Sequence, residues 1–271
     1  MNQSGMMGVN GADLYYEARG EGHPLVLVHA AIADSRMWDD QMDAFSALYT
    51  VVRFDTRGFG RSTMPHEPAA TYEDIYGLLR ALGMAKAHLI GVSMGGGMII
   101  DFALAHPDMA TALIPVGPGL GGFEVWPNAE EMALFEEVQA AMKAGDYDRA
   151  TDLNLHAWVD GPGRKPDQVD PRLRARAREM MAPTIAHAAE HNAIGSKELE
   201  PPAATRLGEI HLPTLVIVGD QDFSDVHAAV DAIAAGVPGA RKAVIQGAAH
   251  VPNMERPAEF NRLVLDFLAS A

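Results

Sequence analysis

Six short, almost wholly apolar runs restrict what this chain can fold into. They are Leu25–His29, Val51–Asp55, His88–Val92, Ala112–Gly117, Thr214–Gly219 and Lys242–Gln246. A strand with one wet face alternates apolar and polar residues, whereas a strand buried on both faces does not. The runs therefore predict strands of a parallel sheet covered by helices on both sides. Between them lie stretches of helical periodicity. Met37–Leu48 brings Met37, Trp38, Met42, Phe45 and Leu48 onto one face, and Tyr72–Leu82, Met94–Ala105, Val226–Ala235 and Pro257–Leu268 read similarly. Strand and helix in alternation give an α/β doubly wound sheet. Residues 9–18 precede it as an antiparallel hairpin, with Asn10-Gly11 in the type I′ turn that this dipeptide favours.

The alternation stops at about Phe123 and resumes after Arg206. The stretch between is rich in Ala, Met, Glu and Arg, has no strand pattern, and is punctuated by prolines at 162, 166, 171, 183, 201 and 202. It reads as a helical insert between two strands. The expected organisation is a core of residues 1–122 and 207–271 with an insert of residues 123–206. A length of 271 residues suits one main α/β domain so interrupted.

Composition excludes several function classes. A net charge of −15 repels phosphates, so neither a nucleic acid nor an anionic membrane is an expected partner. Cysteine is absent, which removes disulfides, a thiolate nucleophile and cysteine-ligated zinc. The first twenty residues lack a basic segment followed by an apolar run, so no signal peptide is expected. The most apolar long stretch, Leu89–Ala105, carries four glycines and Asp101 and is too short for a bilayer span of about 20 residues. The expected location is the cytoplasm.

Chemistry concentrates at three strand ends. Gly91-Val92-Ser93-Met94-Gly95 has the form G-x-S-x-G, follows an apolar run and opens a helical one. A turn that sharp forces strain on the serine, and side chains two residues to either side would collide, so both positions call for glycine. The hydroxyl then stands at a helix N-terminus, where developing negative charge is favoured. A serine attacks a carbonyl at neutral pH only when a base takes its proton and a third group orients the base. Candidates follow in the order acid, histidine: Gly219-Asp220-Gln221-Asp222 ends one run and Gly247-Ala248-Ala249-His250 the next. Open α/β sheets build their sites at such C-terminal strand ends. His250 is the candidate base. Asp222 is the candidate acid because the turn after Gly219 aims it across the strand ends; Asp220 is the reserve, with the alternative task of fixing the loop, and Asp225 lies nearby. A tetrahedral intermediate needs two N–H donors, assigned to the backbone of Met94 and of Ala31, the latter in the loop after Leu25–Val28.

Other motifs carry less. Gly117-Pro118-Gly119-Leu120-Gly121-Gly122 fits G-x-G-x-x-G, but no helix opens there and no strand follows soon, so it reads as a flexible hinge into the insert rather than a nucleotide site. His187-Ala188-Ala189-Glu190-His191 fits an inverted zinc motif without an evident third ligand. Arg57 and Arg61 are expected to fix the loop after Asp55 rather than bind an anion. Some of Phe123, Trp126, Met132, Phe135 and Trp158 are expected to line an apolar pocket above Ser93.

Taken together, His23-Pro24-Leu25-Val26-Leu27-Val28-His29, Asp55-Thr56-Arg57-Gly58-Phe59-Gly60-Arg61-Ser62, Gly91-Val92-Ser93-Met94-Gly95-Gly96, Gly219-Asp220-Gln221-Asp222 and Gly247-Ala248-Ala249-His250-Val251-Pro252 resemble the α/β-hydrolase superfamily. The resemblance implies an α/β-hydrolase fold with a helical cap made by the insert, and it supports Asp222 as the acid. Met37-Trp38 followed by Asp55-Thr56-Arg57-Gly58 looks most like small carboxylesterases and enol-lactone or acyl-homoserine-lactone hydrolases. His29-Ala30 departs from the His-Gly usual in that family, and a methyl there is expected to crowd the oxyanion loop or change its backbone angle. The expected activity is hydrolysis of a small carboxylic ester or lactone through Ser93, His250 and Asp222, without cofactor or metal. Cleavage of a carbon–carbon bond in a dienoic diketone, perhydrolysis, and ligand reception on the same fold are the alternatives.

Overall fold

A computed structural model of the protein describes residues 1–64 and 67–271, with the side chains of all of these except 188–193. Eight strands form one sheet: β1 (Asn2–Val9), β2 (Ala12–Arg19), β3 (Pro24–Val28), β4 (Thr50–Phe54), β5 (Ala87–Val92), β6 (Ala110–Val116), β7 (Leu215–Gly219) and β8 (Arg241–Ile245). Their spatial order is β1-β2-β4-β3-β5-β6-β7-β8. β2 pairs antiparallel with both β1 and β4, and every other pairing is parallel. Asn10 and Gly11 both take positive φ, 47° and 78°, as the hairpin turn requires.

Helices α1 (Asp39–Ser46), α2 (Tyr72–Ala81), α3 (Met94–Ala105), α4 (Ala129–Ala144), α5 (Tyr147–Leu155), α6 (Pro171–Ile194), α7 (Ser224–Gly236), α8 (Pro252–Glu255) and α9 (Pro257–Leu268) complete the chain. The sheet separates two apolar cores. Val26 and Val28 face α2, α3 and α7, through Leu78, Ile99, Phe102 and Val230. Leu25 and Leu27 face the other way, towards Trp38, Phe45, Phe260 and Val264. That two-sided burial explains the almost wholly apolar runs of β3 to β7; β8, at the edge of the sheet, is exposed at Arg241, Lys242 and Val244, against the expectation of burial on both faces. Chain order reverses at β3, which has β4 on one side and β5 on the other. A crevice opens at such a switch point, outside the strands' C-terminal ends.

From Gly117 to Thr214 the described residues contain helices and single bridges but no strand. Local signals start these helices. Asn128 and Glu131 form a reciprocal capping box on α4, and Gly145 ends it at φ 73°. Asp146 caps α5 through Arg149 N, and Asp170 caps α6 with Pro171 in the first position. α5 runs into a π-helical turn, His156–Asp160.

Three further expectations need correction. Pro183 lies inside the long helix α6 rather than ending a segment; the ring removes one backbone donor, and the remaining turns carry the helix through. Leu48 falls beyond α1 and is 61% exposed, so it is not part of the buried face. The glycine-rich stretch after β6 is a buttress rather than a hinge: Gly117 N–H donates to Ile217 O at 2.8 Å and Gly119 N–H to Ser93 O at 3.1 Å, while Ala204 N–H closes on Gly121 O.

Candidate active site

Ser93 joins β5 to α3 with φ 56° and ψ −115°. Besides Asn10 it is the one positive-φ residue other than glycine among those described. Such a conformation costs about 1–3 kcal/mol and persists only where the surroundings enforce it. Here they do. A Cβ on Gly91 would lie 2.2 Å from Gly95 O, and one on Gly95 would lie 2.4 Å from Val28 O. The glycines let β3, β5 and α3 meet at backbone distance. Ser93 N–H donates to Val116 O at 2.9 Å, and its carbonyl accepts from Gly97 and Gly119. The half-buried side chain stands at the first turn of α3, among unsatisfied N–H groups.

His250 follows β8 and Asp222 follows β7; they are 2% and 7% exposed. The His250 Nδ1 lies 2.8 Å from Asp222 Oδ2 and 3.0 Å from Oδ1, so the carboxylate accepts the Nδ1 proton. Asp222 Oδ1 also accepts Phe223 N–H at 2.8 Å. This arrangement leaves His250 Nε2 as the free, basic nitrogen. That atom is buried and has no hydrogen-bond partner among the described residues. Asp220, the reserve acid, faces elsewhere: its Oδ1 accepts Gly247 N–H at 2.6 Å and fixes the histidine loop. Asp225 stays at the edge of α7, with burial raising its pKa.

The loop after β3 is held by a residue of the first motif. His29 is fully buried. Its Nε2 accepts Thr56 N–H at 2.9 Å, which leaves Nδ1 as the donor to Ala30 O at 2.8 Å. Burial lowers its pKa, so it stays neutral in this role. Ala30 comes next. Its methyl is buried, its φ is not positive, and its N–H donates to Met37 Sδ at 3.3 Å. Among the described residues no backbone hydrogen bond engages the next N–H, that of Ala31. Met94 is the first residue of α3, so its N–H has no intrahelical acceptor. Arg57 pairs with buried Asp74, and Arg61 N–H donates to Asp55 Oδ2 at 2.9 Å, so both hold the loop after β4.

Two contributions, those of Gly117 and Glu131, have no counterpart among the sequence expectations, while Trp158, expected as pocket lining, makes a further contact. Gly117, at φ 46°, takes a backbone conformation that other residues rarely adopt, and a Cβ there would press on the pair, 3.1 Å from Asp222 Oδ2 and 3.2 Å from His250 Nδ1. Trp158, in the π-helical turn, packs its ring against His250 at 4.5 Å, and Phe223 and Phe135 continue the stack. Glu131 reaches from the start of α4 to the start of α7, where it accepts Ser224 N–H at 3.1 Å, two residues beyond Asp222. No local pattern marks these long-range roles. Trp126, by contrast, is 77% exposed. Two residues of the zinc-like motif, Glu190 and His191, have side chains outside the described residues; among the described residues no three metal-binding side chains converge. No helix among them is long and apolar enough to cross a membrane.

A sharp strand–serine–helix turn on a mostly parallel sheet, with a histidine–aspartate pair on later strand ends of the same sheet, points to a class of protein. The chain belongs to the alpha/beta hydrolase family, whose model matches residues 23–257. It is 27% identical to a 2-hydroxy-6-oxo-6-phenylhexa-2,4-dienoate hydrolase of Comamonas testosteroni, over 94% of this chain and 91% of that one. It is also 27% identical to a pimeloyl-[acyl-carrier protein] methyl ester esterase of Aeromonas hydrophila, over 93% and 98%. The solved enol-lactonase of Burkholderia xenovorans superposes with a TM-score of 0.80 at 26% identity, covering 98% of this chain and all of that one.

Proposed function

We propose that this hydrolase cleaves a small carboxylic ester or lactone through an acyl-enzyme on Ser93. The observations that support the reading are the strained serine at the end of β5 and, at the ends of β7 and β8, a buried histidine held by Asp222 whose Nε2 has no partner among the described residues. Asp222 holds the Nδ1 proton of His250, which fixes the tautomer and stabilises the imidazolium. Ser93 Oγ attacks the carbonyl carbon while His250 Nε2 takes its proton. The N–H groups of Met94 and Ala31 receive the oxyanion. His250 returns the proton to the leaving alkoxide, and a water deprotonated by the same nitrogen then releases the acid. No hydrogen bond joins Ser93 to His250 in this state; such contacts often tighten only around a bound substrate. Residues 123–206 act as the cap, with Trp158 and Phe135 as apolar lining.

The test is a rate panel of p-nitrophenyl esters of rising acyl length, γ-butyrolactone and an N-acyl homoserine lactone. It is run with wild type and with Ser93→Ala. The variant is expected to lose about 10,000-fold or more in kcat while remaining folded. A variant as fast as wild type overturns the scheme. Preference for esters makes the protein a carboxylesterase, and preference for a lactone makes it a lactonase. A second reading is favoured by the dienoate hydrolase relative: carbon–carbon cleavage of a dienoic diketone. Product analysis separates the two, because only that reaction divides the carbon skeleton.

A further inference from the structure

Behind the His250 loop one guanidinium spends every donor it has. Arg164 lies just past the π-helical turn that carries Trp158. Its Nε donates to Asp160 O. Nη1 donates to Glu255 Oε1 at 2.6 Å and to Gly247 O at 3.2 Å. Nη2 donates to Glu255 Oε2 at 3.1 Å and to Val159 O at 3.2 Å. An arginine has five N–H donors in a rigid planar fork, and all five are used. The side chains of Arg164 and Glu255 are 12% and 9% exposed, so the pair is held away from bulk water.

The acceptors are what give this cluster meaning. Glu255, paired with Arg164, also accepts Ala249 N–H at 2.9 Å, the residue before His250. Gly247 O lies three residues before it and is shared with Arg256 Nη2 at 3.1 Å. Val159 O and Asp160 O belong to the turn whose Trp158 ring lies against His250 at 4.5 Å. That turn is gripped again by Arg174, whose Nε donates to the buried Asp160 side chain at 2.7 Å. One side chain of the insert thus fixes the backbone leading into His250 and the ring that lies against its imidazole.

We infer that Arg164 is a positioning residue: with Glu255 it sets the posture of the His250 imidazole and couples that posture to docking of residues 123–206 on the core. The inference rests on the proposed function. If the insert lifts away, the three contacts to Gly247 and Glu255 break and the histidine loop loses its brace. A lysine cannot replace the fork, because one ammonium carries three donors at a single point and cannot reach five acceptors spread around the edge of a guanidinium plane.

The test uses the full chain and p-nitrophenyl butyrate, with Arg164→Lys, Arg164→Ala, Glu255→Gln and, as a control on the same insert, Arg178→Ala. Among the described residues Arg178 pairs with exposed Asp148 and Asp152. Misplacing a catalytic group by about 1 Å costs on the order of 100-fold. Arg164→Lys is therefore expected to lower kcat by about that factor with little change in KM. The low-field proton resonance of His250 Nδ1–H should shift or broaden, while circular dichroism stays native. Glu255→Gln should lose less, since its amide oxygen still accepts Ala249 N–H; Arg178→Ala should match wild type. If Arg164→Ala does not fold, Arg164→Lys and Glu255→Gln decide. Arg164→Lys with wild-type kcat and an unmoved His250 resonance overturns the inference, as does a loss that Arg178→Ala reproduces. Failure of the underlying reading looks different: Ser93→Ala would then turn over as fast as wild type.

Discussion

The two halves of the candidate site are built by different means. The serine half is backbone against backbone: Gly91, Gly95 and the carbonyls of Val28 and Val116 lock Ser93 with no help from distant side chains. The histidine half is side chain against backbone across long sequence separations. Asp220 holds Gly247, Glu255 holds Ala249, Arg164 holds Gly247 and Glu255, and Glu131 holds the start of α7. Half of those supports, Arg164 and Glu131, come from the segment between β6 and β7. The serine turn is therefore held by the folding of the sheet, whereas the histidine side depends also on how the segment between β6 and β7 sits.

The sharpest way to break this contrast is within the histidine half. Asp222→Asn leaves the shape intact but favours the wrong imidazole tautomer, and is expected to lower kcat by about 10,000-fold. Asp220→Asn keeps an acceptor for Gly247 N–H and should cost far less. Steady-state rates on one ester measure both, and equal losses would mean that Asp222 is not the orienting acid. In the serine half the penalty should fall on stability instead. Gly95→Ala pushes a methyl onto Val28 O, a contact between two backbones that cannot yield cheaply. It is expected to destabilise by about 3 kcal/mol or more, read by urea denaturation. A Gly95→Ala protein of native stability would show that the elbow is looser than its geometry.

The smallest effect concerns α3 itself. Asp101 has a pKa pushed up to about 6, chiefly by burial and then by the charge of Glu198, with Arg206 opposing. A carboxyl whose folded pKa is raised stabilises the fold at low pH, and that contribution disappears as pH rises through the folded value. Asp101→Asn should therefore raise Tm at pH 8 by about 2–4 °C, for an effect near 1 kcal/mol once partial exposure is allowed for. The difference should vanish near pH 4. Thermal melts at the two pH values check it, and a difference of equal size at both would contradict the assignment.

The same contrast explains what could be read from the residues alone. Strands buried on both faces leave almost unbroken apolar runs, so β3 to β7 were legible to within about two residues; the edge strand β8 was legible to within a residue from the apolar Ala243-Val244-Ile245 within it, and α3 and α9 to the residue. The elbow was legible because its constraint is local: glycine two positions either side of a serine has one physical reason to be there. Asp222 could be singled out from its neighbours only by the direction of a turn. Arg164, Glu131 and Gly117 were not legible, because their partners lie far along the chain and nothing nearby distinguishes them from surface charge or a loop glycine; Trp158 was legible as an apolar residue of the pocket but not as the ring against His250. Pro183 misled for the opposite reason: a strong local signal was overridden by the helix around it.

The central claim is that Ser93 is a nucleophile activated by His250. Treat the protein with the organophosphate diethyl p-nitrophenyl phosphate and locate the adduct by intact-mass and peptide mass spectrometry, in wild type and in His250→Ala. The account predicts rapid, stoichiometric diethylphosphorylation of Ser93 in wild type and a rate lower by orders of magnitude in the variant. An adduct on another residue, no adduct at all, or equal rates in the two proteins would contradict it.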